Sequence, residues 1–301
     1  MDYLLVSISI VCIVLSFGAN KVFQIRIAKN ISNLLFFSFC AQLFFAFLFL
    51  SISKFAIRIT TFSLLLSIAA AVANSGFAIL SVVAFKYGKM SIFTLFLMIG
   101  GMLLPYIFGI FFLEENITIF KIMGMVLLVG ALIVNALFEI KKQPQAEKTK
   151  PIFWFICITA FVLNGSSSII TKIHATNAQS TSSICFLFLT AAFTSLIALI
   201  ASIIVFLSQK KKSVEHIDIN LKTSIFFIIL SVVLGGLTGG STLCNIEAAK
   251  TMSAVIEFPI ITGGVTILTA VFALIAFKER ITKPSLICLI VISVGMVLFI
   301  F

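Results

Sequence analysis

The chain has 301 residues, of which 61% are hydrophobic and only 10% are charged, with a formal net charge of +11. Soluble domains carry about 25% charged residues, and here too few polar side chains remain to cover a water-facing exterior. That excludes a soluble globular domain, and the placement of the basic residues, in short clusters between apolar runs, excludes a nucleic-acid-binding face.

Ten apolar stretches are long enough to be read as membrane helices, each needing about 17–20 residues or more. The first, 3–20, lacks a basic leader and a small-residue cleavage site, so it is expected to be a retained helix and not a signal peptide. It closes on Gly18-Ala19-Asn20-Lys21, with Gln24 one turn further. The second span is 30–53, and the third, 59–85, carries Asn74, Ser75 and Gly76. The fourth, 90–113, contains Pro105 and ends in Leu113-Glu114-Glu115-Asn116-Ile117-Thr118. The fifth is 122–138, followed by the hydrophilic stretch 141–150. The sixth, 151–171, holds Asn164-Gly165-Ser166-Ser167-Ser168 and runs into Thr171 and Lys172. The seventh is 182–207, and the eighth, 223–246, contains the run Gly235 to Thr242, including Thr238, Gly239, Gly240 and Ser241, and then Asn245. The ninth, 253–277, carries Glu257 and Pro259, and Lys278-Glu279-Arg280-Ile281-Thr282 leads into the tenth, 284–301.

The longest hydrophilic pieces are loop-sized, so no soluble catalytic module is expected. A G-x-x-x-x-G-K-[ST] phosphate loop is absent, which argues against an ATP-driven pump with its motor on this chain. The six cysteines all lie in apolar stretches and are read as small packing residues. His174 and His216 lack metal-ligand spacing, so neither a metal nor a cofactor is expected.

The chain also repeats itself. Glu115-Asn116-Ile117-Thr118 matches Glu279-Arg280-Ile281-Thr282, Met90-Ser91 matches Met252-Ser253, and Gly100-Gly101 matches Gly263-Gly264. The polar end of the first span likewise matches that of the sixth. The expected architecture is an all-α integral membrane protein of ten transmembrane helices, arranged as two inverted five-helix repeats. Residues 1–140 form one unit, 141–150 a basic linker and 151–301 the other. Five is an odd number, so the second unit enters the membrane upside down, an arrangement common among secondary transporters.

On the residues 113–118 and 278–282, with the small residues Gly124, Gly130 and Gly295 in the following spans and Pro105 and Pro259 in the fourth and ninth, each half resembles the EamA domain of the drug/metabolite transporter superfamily. The resemblance covers nearly the whole chain and implies a multi-pass permease moving a small organic metabolite or drug-like solute, by import or efflux. It does not specify the solute.

Ionisable groups inside a bilayer cost about 2.5–3.5 kcal/mol on insertion scales and mark pathways. Glu257 is therefore a candidate coupling or amine-binding acid, or else a carboxylate at the water boundary. Asn20, Lys21 and Gln24, with Asn164, Ser167, Thr171 and Lys172, are candidate substrate contacts, although both lysines also have stems long enough to snorkel. Asn74, Thr238, Ser241 and Asn245 are candidate pathway residues. Pro105, Gly239, Gly240 and Pro259 are candidate hinges, and the glycines read equally as a close helix contact. Glu114, Glu115 and Glu279 are expected to cap or anchor turns.

Sixteen of the 21 basic residues fall in odd-numbered connections, which the positive-inside rule puts in the cytoplasm, with both chain ends outside. The resemblance implies the opposite, both ends inside. The function expected is transport driven without ATP, by alternating access and with possible proton coupling. The partners expected are a small-molecule substrate and membrane lipid, and ten fused spans suffice for a monomer. An intramembrane lipid- or isoprenoid-processing enzyme, or a non-transporting membrane subunit, is the alternative.

Overall fold

In the computed structural model the described residues are 1–26, 31–84, 87–88, 90–142, 151–209, 221–278 and 282–301. They form ten α-helices: α1 (Asp2–Arg26), α2 (Ile31–Ile52), α3 (Thr61–Ala84), α4 (Met90–Phe112), α5 (Ile119–Lys142), α6 (Pro151–Thr176), α7 (Ser183–Gln209), α8 (Leu221–Ala248), α9 (Ala254–Ala276) and α10 (Lys283–Leu298). In hydrocarbon a backbone must satisfy its own N–H and C=O groups, and long apolar runs do so as helices. Nine of the ten are long and apolar enough to cross a membrane; α10, with 16 residues, is shorter. The chain is an integral, multi-pass membrane protein.

Several helices outrun their apolar cores. α1 continues past Asn20 to Arg26, and α6 continues past Thr171 to Thr176, because no Gly or Pro stops either one at its polar end. Lys141 and Lys142 close α5, so the expected linker begins inside a helix, and the rest of it lies outside the described residues. Large side chains such as Leu4, Phe47, Phe155 and Ile275 point outward, where lipid is the solvent.

The most extensive contacts join helices distant in sequence: α2 with α7, α4 with α6, α1 with α8 and α5 with α10. Further contacts join α3 with α6 and α7, α2 with α8, and α9 with α1 and α4. On one face of the bundle the connections meet. Thr60 Oγ1 donates to Gln179 O at 3.1 Å, and Thr181 N–H donates to Ser63 Oγ at 2.9 Å, tying the α2–α3 connection to the α6–α7 connection. The α4–α5 and α8–α9 connections touch on the same face, as described below.

Two turns are built alike. Glu114 follows α4 with φ 52°, and Lys278 follows α9 with φ 54°, both left-handed. Thr118 Oγ1 then accepts from Lys121 N–H at 3.4 Å, and Thr282 Oγ1 from Ser285 N–H at 3.4 Å, each capping the next helix. Glu279, which matches Glu115 in the sequence, lies outside the described residues together with Arg280 and Ile281.

The candidate hinges sit in unbroken helices. Pro105 and Pro259 lie inside α4 and α9, and both helices run on past them. α8 is continuous through its glycines. A Cβ on Gly235 would stand 2.4 Å from Ala41 O of α2, and one on Gly239 would stand 2.9 Å from the Phe49 ring. The glycine run is the surface on which α2 closes against α8.

Candidate functional site

Three of the ionisable residues named from the sequence, Glu115, Lys172 and Glu257, converge at the start of α9. The left-handed turn after α4 aims the Glu115 side chain across the bundle, and the Glu115 N–H donates back to Gly109 O at 3.1 Å. The carboxylate accepts from Ala254 N–H at 2.8 Å and from Val255 N–H at 2.9 Å. These are orphan donors of the first turn of α9, where the helix dipole also favours negative charge. Gly109 makes the approach possible, since a Cβ there would lie 2.7 Å from Glu115 Oε2 and 3.2 Å from Ala254 Cβ.

Lys172 reaches the same place from α6. Its residue is 3% exposed, and its Nζ donates to Ala249 O at 2.8 Å and to Met252 O at 2.5 Å, the carbonyls of the α8–α9 turn. It stands 3.8 Å from Glu115 Oε1. Lys172 is thus neither snorkelling nor free. One ammonium holds the last carbonyls after α8 while one carboxylate holds the first N–H groups of α9.

Glu257 lies within the first turn of α9, fully buried, and neither carboxyl oxygen has a hydrogen-bond partner. The Ser253 hydroxyl, one turn earlier on the same helix side, is also buried and without a partner. Lys172 and Glu115 both act on Glu257 electrostatically. We term this arrangement the clasp.

The remaining sequence candidates separate into groups. Ser167 Oγ donates to Asn74 Oδ1 at 2.6 Å, joining α6 to α3. Asn164 Nδ2 donates to Leu97 O at 2.8 Å, joining α6 to α4, and Thr171 Oγ1 donates to Ser167 O at 3.0 Å within α6. Asn74, Asn164, Ser167, Thr171 and Lys172 therefore form one polar track along α6 that ends in the clasp.

Elsewhere, Thr238 Oγ1 donates to Leu234 O at 2.8 Å and Ser241 Oγ to Thr238 O at 2.8 Å, both within α8, while Asn245 Oδ1 is buried without a partner. Lys21 is far from this group. It is half-buried beside half-buried Asn20 and lies over the Phe277 ring at 4.1 Å. Gln24 belongs to α1, and its side chain is outside the described residues.

Two features had no sequence signal. The partners of Glu115 and Lys172 are backbone groups 77 to 140 residues away, which no side-chain pattern encodes. His174, two residues past Lys172, is buried, stacks on Phe186 at 3.9 Å and pairs its Nε2 with Ser63 Oγ at 3.1 Å. It fastens the end of α6 to the start of α3.

No family model and no curated protein matches this chain. Solved structures do match it in shape. One crystal structure, described only as that of a protein, superposes with a TM-score of 0.73 over 99% of this chain and 98% of its own length, at 10% sequence identity. At that identity the likeness establishes the fold alone.

Proposed function

We propose that this protein is a secondary transporter that moves a small organic solute by alternating access between two five-helix halves. The observation that carries the reading is the clasp. Glu115, from residues 1–140, holds the α8–α9 turn of residues 151–301, deep enough that Lys172 and Glu257 are buried. Membrane proteins rarely keep buried charge of this kind away from a pathway or relay.

The packing supports two inverted halves. Renumbering each helix by five exchanges the α1–α8 contact with α6–α3, the α4–α6 contact with α9–α1, and the α2–α8 contact with α7–α3. The α2–α7, α4–α9 and α5–α10 contacts map onto themselves, as a two-fold axis between the halves requires. The matched left-handed turns after α4 and α9 have the same logic. On this reading the chain is a distant EamA-type permease of the drug/metabolite transporter superfamily. The polar track on α6 faces the solute path, and the clasp closes one end of it. By the charge bias, the clasp face is the non-cytoplasmic one. Each chain encloses its own path, so a monomer suffices.

The test is a thermal-shift screen of the detergent-purified protein against amino acids, sugars, nucleosides, organic acids, phosphorylated metabolites and cationic drugs, followed by flux into proteoliposomes. A solute that binds the folded state raises its stability. The expected result is a shift confined to one chemical class, lost in Asn164→Leu or Ser167→Ala, with flux of that same solute. A panel with no shift and no flux would sink the transporter reading in favour of a non-transporting subunit.

A further inference from the structure

The three ionisable groups of the clasp meet burial in different ways. Glu115 accepts two backbone N–H groups and faces Lys172, which suits an ionised carboxylate. Lys172 donates to two carbonyls, which suits an ammonium. One cation and one satisfied anion already make the cluster neutral. Glu257 accepts nothing, and an ionised carboxylate buried without partners costs several kcal/mol even after relaxation.

Among the described residues, the helices packed on α9 carry few other titratable groups. α4 contributes Tyr106, and α10 contributes Cys288 with Lys283 at its start. α1 has Asp2 and Tyr3 at its first turn, Cys12 in its middle and Lys21 near its far end. α5 has Lys121 at its start, where it donates to Asn116 O. The charged groups acting on Glu257 among the described residues are Lys172 and Glu115.

We infer that Glu257 is a proton-binding site and that closure of the clasp face takes up one proton on its carboxyl group. With Glu257 protonated, the clasp is neutral and Lys172 stays on the Ala249 and Met252 carbonyls. When the O–H bond breaks, the proton passes to water on that face and the electron pair remains on the carboxylate. The carboxylate then competes for the Lys172 ammonium, draws it off the turn and frees the start of α9 to move. As a coupling device this rests on the transporter reading, with the proton as the driving ion, one per closure. As a switch it stands on the clasp alone.

The experiment is hydrogen–deuterium exchange of the native full-length protein in detergent, read on peptides covering the α8–α9 turn from about pH 5 to about pH 9 and corrected for the intrinsic pH dependence of exchange. Protection of the turn is expected to fall about tenfold or more as pH rises. Glu257→Gln, which mimics the neutral acid, should keep its acid-like protection throughout, and Lys172→Gln should lose it throughout. A flat wild-type profile overturns the proposal. So does a fall that survives in Glu257→Gln, which would belong to another group, the Lys172 ammonium on the turn carbonyls first among them. If Glu257→Gln does not fold, the wild-type profile decides: a fall confined to the turn supports the site, and a fall shared by the α2–α3 connection overturns it. The solute screen varies separately. A pH-sensitive turn with no solute shift keeps the proton site and removes the transporter reading, and a solute shift with a flat turn does the reverse.

Discussion

α6 against α4 and α1 against α9 are the same junction by helix order, yet they are built from different materials. At the α4–α6 crossing backbone meets backbone: a Cβ on Gly100 would stand 2.3 Å from Phe161 O, and Asn164 bonds Leu97 O beside it. At the α1–α9 crossing the glycines meet side-chain tips. A Cβ on Gly264 would meet Ile10 Cδ1 at 2.5 Å, and one on Gly18 would meet the Phe272 ring at 2.7 Å. The lysines follow suit, Lys172 on carbonyls and Lys21 on a ring. A backbone contact locked by a hydrogen bond yields little, whereas the end of a flexible side chain can turn aside. The α1–α9 contact is therefore the more yielding of the two junctions.

The sharpest way to break this contrast is at the lysine of the rigid junction. Lys172→Met leaves the turn carbonyls and Glu115 without their cation and is expected to destabilise the detergent-solubilised protein by about 3–5 kcal/mol. A loss under about 1 kcal/mol in equilibrium denaturation would mean that Lys172 is not structurally engaged. Next comes the glycine pair. Gly100→Ala must displace a backbone carbonyl and should cost about 1–3 kcal/mol, while Gly264→Ala need only turn the tip of Ile10 and should cost under about 1 kcal/mol. Equal losses in the two thermal melts would erase the distinction.

Smaller effects test where the halves agree. Thr118→Ala and Thr282→Ala each remove a helix cap of the same geometry and should each cost about 1 kcal/mol. Unequal melts would show that the two turns are alike in shape only. The smallest effect is expected at Phe277→Leu, which removes the ring under Lys21 and should cost about 0.5–1 kcal/mol, decreasing little with salt because the pair is half-buried.

Much of the helical framework was legible because each span is a run of apolar residues bounded by charge. The ends were less so. α1 and α6 extend past their apolar cores through Lys21 and Lys172, since helix propensity ignores hydrophobicity once a helix is nucleated. Glu257 and Lys172 stood out as charges within apolar segments, and the structure brings both to the start of α9. Glu115 read as a turn anchor, and it is one, but the helix it anchors begins 139 residues later. That distance hides the contact: its partners are peptide N–H groups, which every residue but proline carries. Lys21 resembled Lys172 in sequence context, and only the tertiary fold separates a ring contact from a carbonyl contact.

The brevity of α10 carries a consequence for the surrounding lipid. Sixteen helical residues rise about 24 Å, whereas a bilayer's hydrocarbon core is about 30 Å thick. Beside α10 a bilayer thins, or flanking side chains reach out to its surface, at a cost of fractions of a kcal/mol for each ångström of mismatch. Shorter acyl chains would relieve that mismatch at α10, while the other nine helices are long enough for a bilayer of ordinary thickness.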